Sequence, residues 1–190
     1  MTKKIKIGIT GLPGAGKTHT LRKVIDMLRA EKIIVGGMVT DAIVEKGIKV
    51  GFEVENVLTG KKGILAHRNM KSEVRFLDYG VDIDVLDSIG VGAISEANEK
   101  AEVIVIDEVG KLEVESERFV IVVKEVLDSD KPLILTLHKK SRNPLLQDIR
   151  RRDDVRILEV TPINKNILPY KIIPLIKEEI ANQKPNMDMY

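Results

Sequence analysis

Cysteine and tryptophan are absent from the 190 residues, aromatic side chains make up only 3%, and the opposite charges nearly cancel. Each shortage removes a class of function. Without thiols there is no disulfide framework, no thiolate nucleophile and no Cys-based zinc or iron–sulfur site, and a reducing cytoplasm is the expected compartment. The 31 Lys and Arg against 29 Asp and Glu leave a net charge of +2, too little for a global field that gathers nucleic acid or a membrane surface. Nucleic acid is therefore not a required partner, no membrane is expected, and no protein partner is indicated. His19, His67 and His138 lie too far apart in sequence to form a metal-spaced pair. Long apolar runs are missing too. The basic start, Met1 to Lys4, leads into Ile5 to Ile9, which is too short for a signal peptide or a membrane span and reads as a buried strand.

The length suits one domain, expected over residues 1–182, with the proline-containing, aperiodic stretch 183–190 as a flexible tail. Alternation along the chain predicts an α/β three-layer sandwich around a mostly parallel sheet. A strand over 4–10 enters a glycine-rich turn, and Leu21, Val24, Ile25 and Leu28 then share one face of a helix over 17–31. The stretch 33–68 is different. Its β-branched segments 36–44, 49–57 and 63–66 are broken at Lys46-Gly47 and Thr59-Gly60-Lys61, the pattern of an antiparallel insertion. A helix is expected over 84–101, weakened by Gly90 and Gly92. Further units follow: a strand over 102–106 and a helix over 116–127 whose Val-Ile-Val-Val run is also strand-like. Then come a strand over 131–137 with a short helix reaching 152, and a strand over 155–160 with a helix over 169–181.

Chemistry concentrates in Gly11-Leu12-Pro13-Gly14-Ala15-Gly16-Lys17-Thr18, which has the phosphate-loop (Walker A) spacing and stands between a strand and a helix. Phosphates need many donors at close range, and glycine lets the backbone curl so that successive amides face inward. The helix start adds its positive dipole end, the Lys17 ammonium can reach the β- and γ-phosphates, and the Thr18 hydroxyl can ligate Mg²⁺. The second element is Val103-Ile104-Val105-Ile106-Asp107-Glu108, an apolar strand ending in two acids. An acid at the end of a strand beside the phosphate-loop strand is placed for the metal-holding Walker B task, which falls to Asp107. Glu108, one position on, can orient or deprotonate an attacking water. Lys17 and Glu108 are thus the expected catalytic pair, Thr18 and Asp107 the metal ligands.

Other polar groups are less decisive. Thr136 and His138 end a neighbouring strand, where His138 either senses the γ-phosphate or is an ordinary loop histidine. Arg150, Arg151 and Arg152 offer a transition-state cation, although a solvated helix end is the favoured reading. Asn164-Lys165 resembles the start of a guanine-reading Asn-Lys-x-Asp motif, but Ile167 stands in place of the aspartate. Asn164 is read as a turn or helix cap, without guanine selectivity.

These residues resemble the cancer-related nucleoside-triphosphatase family over about residues 4–170. Asp107-Glu108-Val109-Gly110-Lys111-Leu112-Glu113 is similar to its Asp-Glu-Ile-Gly-x-Met-Glu block, with Ser116 and Phe119 at matching spacing. Gly37 to Thr40, Gly51-Phe52, Arg75, Tyr79-x-Val81 and Asn164 through Leu168-Pro169 match further elements. The resemblance implies a slow, magnesium-dependent hydrolase of several nucleoside triphosphates, ATP and GTP among them. It also implies an extra strand between the phosphate-loop and Walker B strands, and it brings Gly110 into the nucleotide-binding set. Two departures stand out: Ala42-Ile43-Val44 replaces Glu-Val-Arg, and Lys165 replaces an arginine. The competing readings are a small-molecule or nucleotide kinase, disfavoured by Glu108, and a nucleotide-gated switch.

Overall fold

The structure is a computed structural model, and it describes residues 4–183. Among these residues nine strands form one sheet. At its centre β1 (Lys6–Gly11), β8 (Leu133–His138) and β7 (Val103–Val109) run parallel, flanked by β9 (Val155–Glu159) and the first half of β2 (Val35–Glu45). Both faces of β1, β8 and β7 are covered, so their residues read as nearly unbroken apolar runs. Period two assigns each residue to a layer. Ile104 and Ile106 pack beneath one set of helices, and Val103 and Val105 beneath the other.

One layer is α1 (Lys17–Ala30) with α6 (Leu168–Ala181), and α1 buries Leu21, Val24, Ile25 and Leu28, the face read from periodicity. The opposite layer holds α3 (Gly92–Lys100), α4 (Glu117–Asp128) and α5 (Pro144–Arg151). The β-branched run of α4 is helical because Phe119, Val122, Val123 and Val126 fall on one buried stripe. The Ser116 hydroxyl accepts the Phe119 N–H at 3.1 Å and so caps its start. The helix expected over 84–101 is present in three pieces: a short α2 (Ile83–Val85), a π-helical turn (Leu86–Val91) that contains Gly90, and α3.

The parallel core and the antiparallel insertion are both present, and the insertion is larger than its sequence pattern suggests. β2 is a pivot: Val35 to Met38 pair in parallel with β7, and Met38 onward pairs antiparallel with β3 (Ile48–Asn56). β4 (Lys62–His67) continues the antiparallel extension, and β5 (Arg75–Phe76) and β6 (Tyr79–Val81) finish it. Strands of two and three residues carry no periodicity to read. The order across the whole sheet is β5-β6-β4-β3-β2-β7-β8-β1-β9. The extra strand implied by the family resemblance is β8, which separates β1 from β7; the acids therefore do not end a strand directly beside the phosphate-loop strand. β7 also runs on to Val109, which puts Asp107 and Glu108 inside it and not beyond its end. The tail expected over 183–190 falls outside the described residues except for Gln183.

An ionic clasp fixes the extension to the parallel half. Arg22 of α1 donates to Asp41 of β2 and, at 2.7 Å, to Glu55 of β3. The helix that begins at the glycine-rich loop therefore carries the root of the β2–β3 hairpin.

Candidate active site

Three parallel strands end at one place, as ligand sites of open α/β sheets require. Gly11, the last residue of β1, stands in register with His138, the last residue of β8. Between β7 and β8 the register shifts from Ile106 to Val109, across the two acids. Such an irregularity re-aims side chains at a strand end. The Asp107–Glu108 peptide is cis.

The segment after Gly11 turns back on itself, with the Ala15 N–H donating to the Leu12 carbonyl at 3.0 Å. Gly16 takes φ 111°, a left-handed conformation that suits glycine, and from it α1 departs with no side chain capping its first N–H groups. Lys17 is 9% exposed, donates to the Gly11 carbonyl at 3.0 Å and lies 3.5 Å from Glu108 Oε2. Thr18 Oγ1 donates to Asp107 Oδ2 at 2.6 Å, and Thr136 donates to the other Asp107 oxygen. Asp107 is 1% exposed, and burial pushes its carboxyl up to about 6, opposed by the hydrogen bonds from Thr136 and Thr18.

A cleft of about 280 Å³ opens over the loop. The loop and the start of α1 contribute Pro13, Gly14, Gly16, Lys17, Thr18 and His19, and Glu108, His138 and Lys49 complete the lining from other strands. His138 therefore belongs to the cleft and is more than a loop residue; its Nδ1 accepts the Lys140 N–H at 3.3 Å, which favours a proton on Nε2. Burial lowers its pKa and the Glu108 charge partly opposes that shift. Leu12 and Ala15 face a separate cavity of about 210 Å³ together with Glu159, Val160 and Pro162. Gly110 is not on the cleft wall. A Cβ there would come within 2.8 Å of Glu108 Oε1 and 2.9 Å of Glu113 Oε2, so Gly110 is the gap between two carboxyl groups.

Of the arginine cluster, none reaches the cleft. Arg150 donates to the carbonyls of Ser141, His138 and Lys139, and Arg152 to Asp154, Asp128 and the Leu127 carbonyl. For Arg150 and Arg152 these are structural ties; Arg151, exposed in the last turn of α5 and touching only Gln147 Oε1, is the solvated helix end favoured from sequence. Asn164 is the turn residue expected: its side chain accepts the Thr161 N–H at 2.7 Å and donates to the Glu159 carbonyl.

Two residues of the site escape the sequence reading as chemistry. Glu113 stands out there only as part of a motif, yet it is 6% exposed and accepts backbone N–H groups, Gly110's among them. Burial, then the charge of Glu108, pushes it up to about 8. Lys49 gives no signal in sequence, because only the hairpin's register brings it to the loop.

The NTPase family model matches residues 6–173. This chain belongs to the NTPase family. Among its relatives is the nucleoside-triphosphatase THEP1 of Thermoplasma acidophilum, 42% identical over 92% of this chain and 97% of that protein. The Thermotoga maritima protein of the same name is 36% identical, over 91% and 96%. The crystal structure of THEP1 from Aquifex aeolicus superimposes with a TM-score of 0.82 at 28% identity, covering 91% of this chain and 99% of that one. The solution structure of a human cancer-related nucleoside triphosphatase gives 0.79 at 28% identity, over 92% and 98%. The two departures from the family pattern are now placed. Val44 lies exposed near the hairpin turn, and the stem of Lys165 packs on Gly16 of the loop.

Proposed function

We infer that this member of the NTPase family is a magnesium-dependent enzyme that hydrolyses ATP, GTP and other nucleoside triphosphates to diphosphate and phosphate, with little discrimination between bases. The observation that carries the reading is the meeting of Lys17, Thr18, Asp107 and Glu108 at one glycine-rich loop. The donor set fits magnesium. Thr18 and Asp107 are hard oxygen donors, and the hydroxyl donates a hydrogen bond to the carboxylate while keeping lone pairs for a cation. When bound there, the ion neutralises charge on the β- and γ-phosphate oxygens.

The protein's own groups divide the remaining work. Lys17 exchanges the Gly11 carbonyl and Glu108 for phosphate oxygens. That releases Glu108, whose side chain is 28% exposed, to orient a water and accept its proton. The loop amides and the α1 dipole hold the phosphates. Loose base selection is supported by the cavity beside Leu12 and Pro162, whose walls offer no aromatic ring. Among the described residues no helix is long and apolar enough to cross a membrane.

Steady-state phosphate release from ATP, GTP, CTP and UTP, with and without Mg²⁺, tests this directly. Lys17→Ala abolishes turnover. Glu108→Gln lowers kcat on the order of 10²-fold or more while ATP affinity stays within about tenfold. Near-normal release from folded Glu108→Gln would overturn the hydrolytic reading in favour of a kinase or a switch.

A further inference from the structure

The loop supplies one side-chain cation, Lys17, and the arginine cluster that was the candidate for a second is bound elsewhere. Lys49 is the other cation that lines the cleft. It enters from β3, outside the parallel core, and lies in the cleft wall with Glu108 and His138. We propose that Lys49 is a transition-state cation supplied in cis by the antiparallel hairpin, contacting the transferred phosphoryl group during hydrolysis. The proposal rests on the triphosphatase reading above and adds to it the residue that answers the developing charge.

Four observations support the assignment. The Lys49 ammonium lies 4.0 Å from the centre of the Phe52 ring, which holds the long side chain without a carboxylate. Phe52 is braced in turn by Tyr79, edge-on at 5.3 Å between centroids. No described carboxylate forms an ion pair with Lys49, although it feels the charge of Glu108, so its charge is free for a ligand. The hairpin is aimed and anchored: the register shifts between Ile43 and Val44, Val44 pairs with Lys49, and Arg22 ties the root to α1. Lys49 is also solvent-exposed at the cleft wall, so its ammonium is open to an incoming ligand.

In the step itself, the water oxygen bonds to the γ-phosphorus as the bond from that phosphorus to the β–γ bridging oxygen breaks. The bonding pair leaves on the diphosphate, and the water proton passes to Glu108 and then to solvent. Negative charge grows on the bridging oxygen and spreads over the γ-oxygens, and a cation on the Glu108 side of the cleft stabilises it there.

The test is kinetic, on the full chain with saturating Mg²⁺. Lys49→Gln is expected to lower kcat by on the order of 10²-fold or more while the KM for ATP and the affinity for ADP stay within about threefold. Lys49→Arg, which keeps the charge, is expected to retain at least about a tenth of kcat. A complex of ADP, Mg²⁺ and fluoroaluminate should be tight in the wild type and weakened on the order of 10²-fold in Lys49→Gln. Circular dichroism checks that the variants fold, and Phe52→Leu, which keeps the charge but removes the ring, should lower kcat less than Lys49→Gln does. If Lys49→Gln turns over within about threefold of wild type while Glu108→Gln is inactive, the proposal fails and the triphosphatase reading stands. If wild type and Glu108→Gln release phosphate equally, the underlying reading fails instead.

Discussion

Replacing Glu113 with glutamine should make the protein more stable, and increasingly so as pH rises. Glu113 sits in the 3₁₀ turn Glu113–Glu115, 6% exposed, with the Glu108 and Asp107 charges as its ionisable neighbours and Gly110 between it and Glu108. Burial, then the charge of Glu108, raises its carboxyl from 4.5 to about 8. A raised folded-state pKa means that the native protein keeps a proton that the unfolded chain releases. The stabilisation is complete below about pH 4.5 and is lost as pH rises to about 8. At roughly 1.4 kcal/mol per pH unit, the loss across that window is about 5 kcal/mol, a large part of a domain's whole stability. Glutamine has no proton to lose, and its amide oxygen can still accept the Gly110 N–H. Urea unfolding from about pH 5 to 8.5 without nucleotide or Mg²⁺ measures this. Wild type and Glu113→Gln should be close near pH 5 and diverge by several kcal/mol near pH 8. In a Glu108→Gln background the divergence should level off at a lower pH and reach a smaller final gap, because removing that neighbouring charge lowers the folded-state pKa of Glu113 and narrows the window. Parallel stability curves at every pH would refute the argument.

Asp107, raised to about 6 by burial, must lose its proton to hold a cation. Apparent Mg²⁺ affinity in the phosphate-release assay should therefore fall about tenfold per pH unit below that value, and Asp107→Asn should bind weakly at every pH without this slope. Gly110→Ala places a methyl against the ends of Glu108 and Glu113, which can swing aside; kcat should drop about tenfold while ATP binding and the melting temperature change little. Competition among nucleotides should show ATP and GTP differing by less than about tenfold, roughly 1.4 kcal/mol. A far larger preference would reveal a base contact in the wall beside Leu12 and Pro162.

What could be read from sequence was what short-range geometry encodes. The spacing from Gly11 to Thr18 needs one turn and one helix start, and both are local; the face of α1 follows from period 3.6 and appears as burial of Leu21 and Val24. The central parallel strands β1, β7 and β8 announce themselves as apolar runs because both of their faces are covered. The outer strands β5 and β6 do not, since two or three residues hold no period. Strand order is not local either. That β8 lies between β1 and β7 decides that Thr136, and not a residue of β1, shares Asp107 with Thr18.

The same distinction explains why an arginine triplet attracts attention that Lys49 does not. Three consecutive cations are conspicuous in a sequence, but a cation acts only where the fold leaves its charge unspent. Arg150 spends its donors on the β8–α5 loop, whose carbonyls would otherwise be unmet, and Arg152 spends its own on Asp154, whose carboxyl it holds below the usual range. Lys49 is solitary in sequence and is brought to the phosphates by a bulged hairpin, a docking helix and an aromatic brace. In Lys49 the antiparallel extension and the parallel core meet. A parallel sheet can deliver acids and a loop lysine to one edge, but its strands all end on the same side of the phosphates. A cation from across the cleft has to come from chain that folds back over that edge, which is what β2 and β3 do.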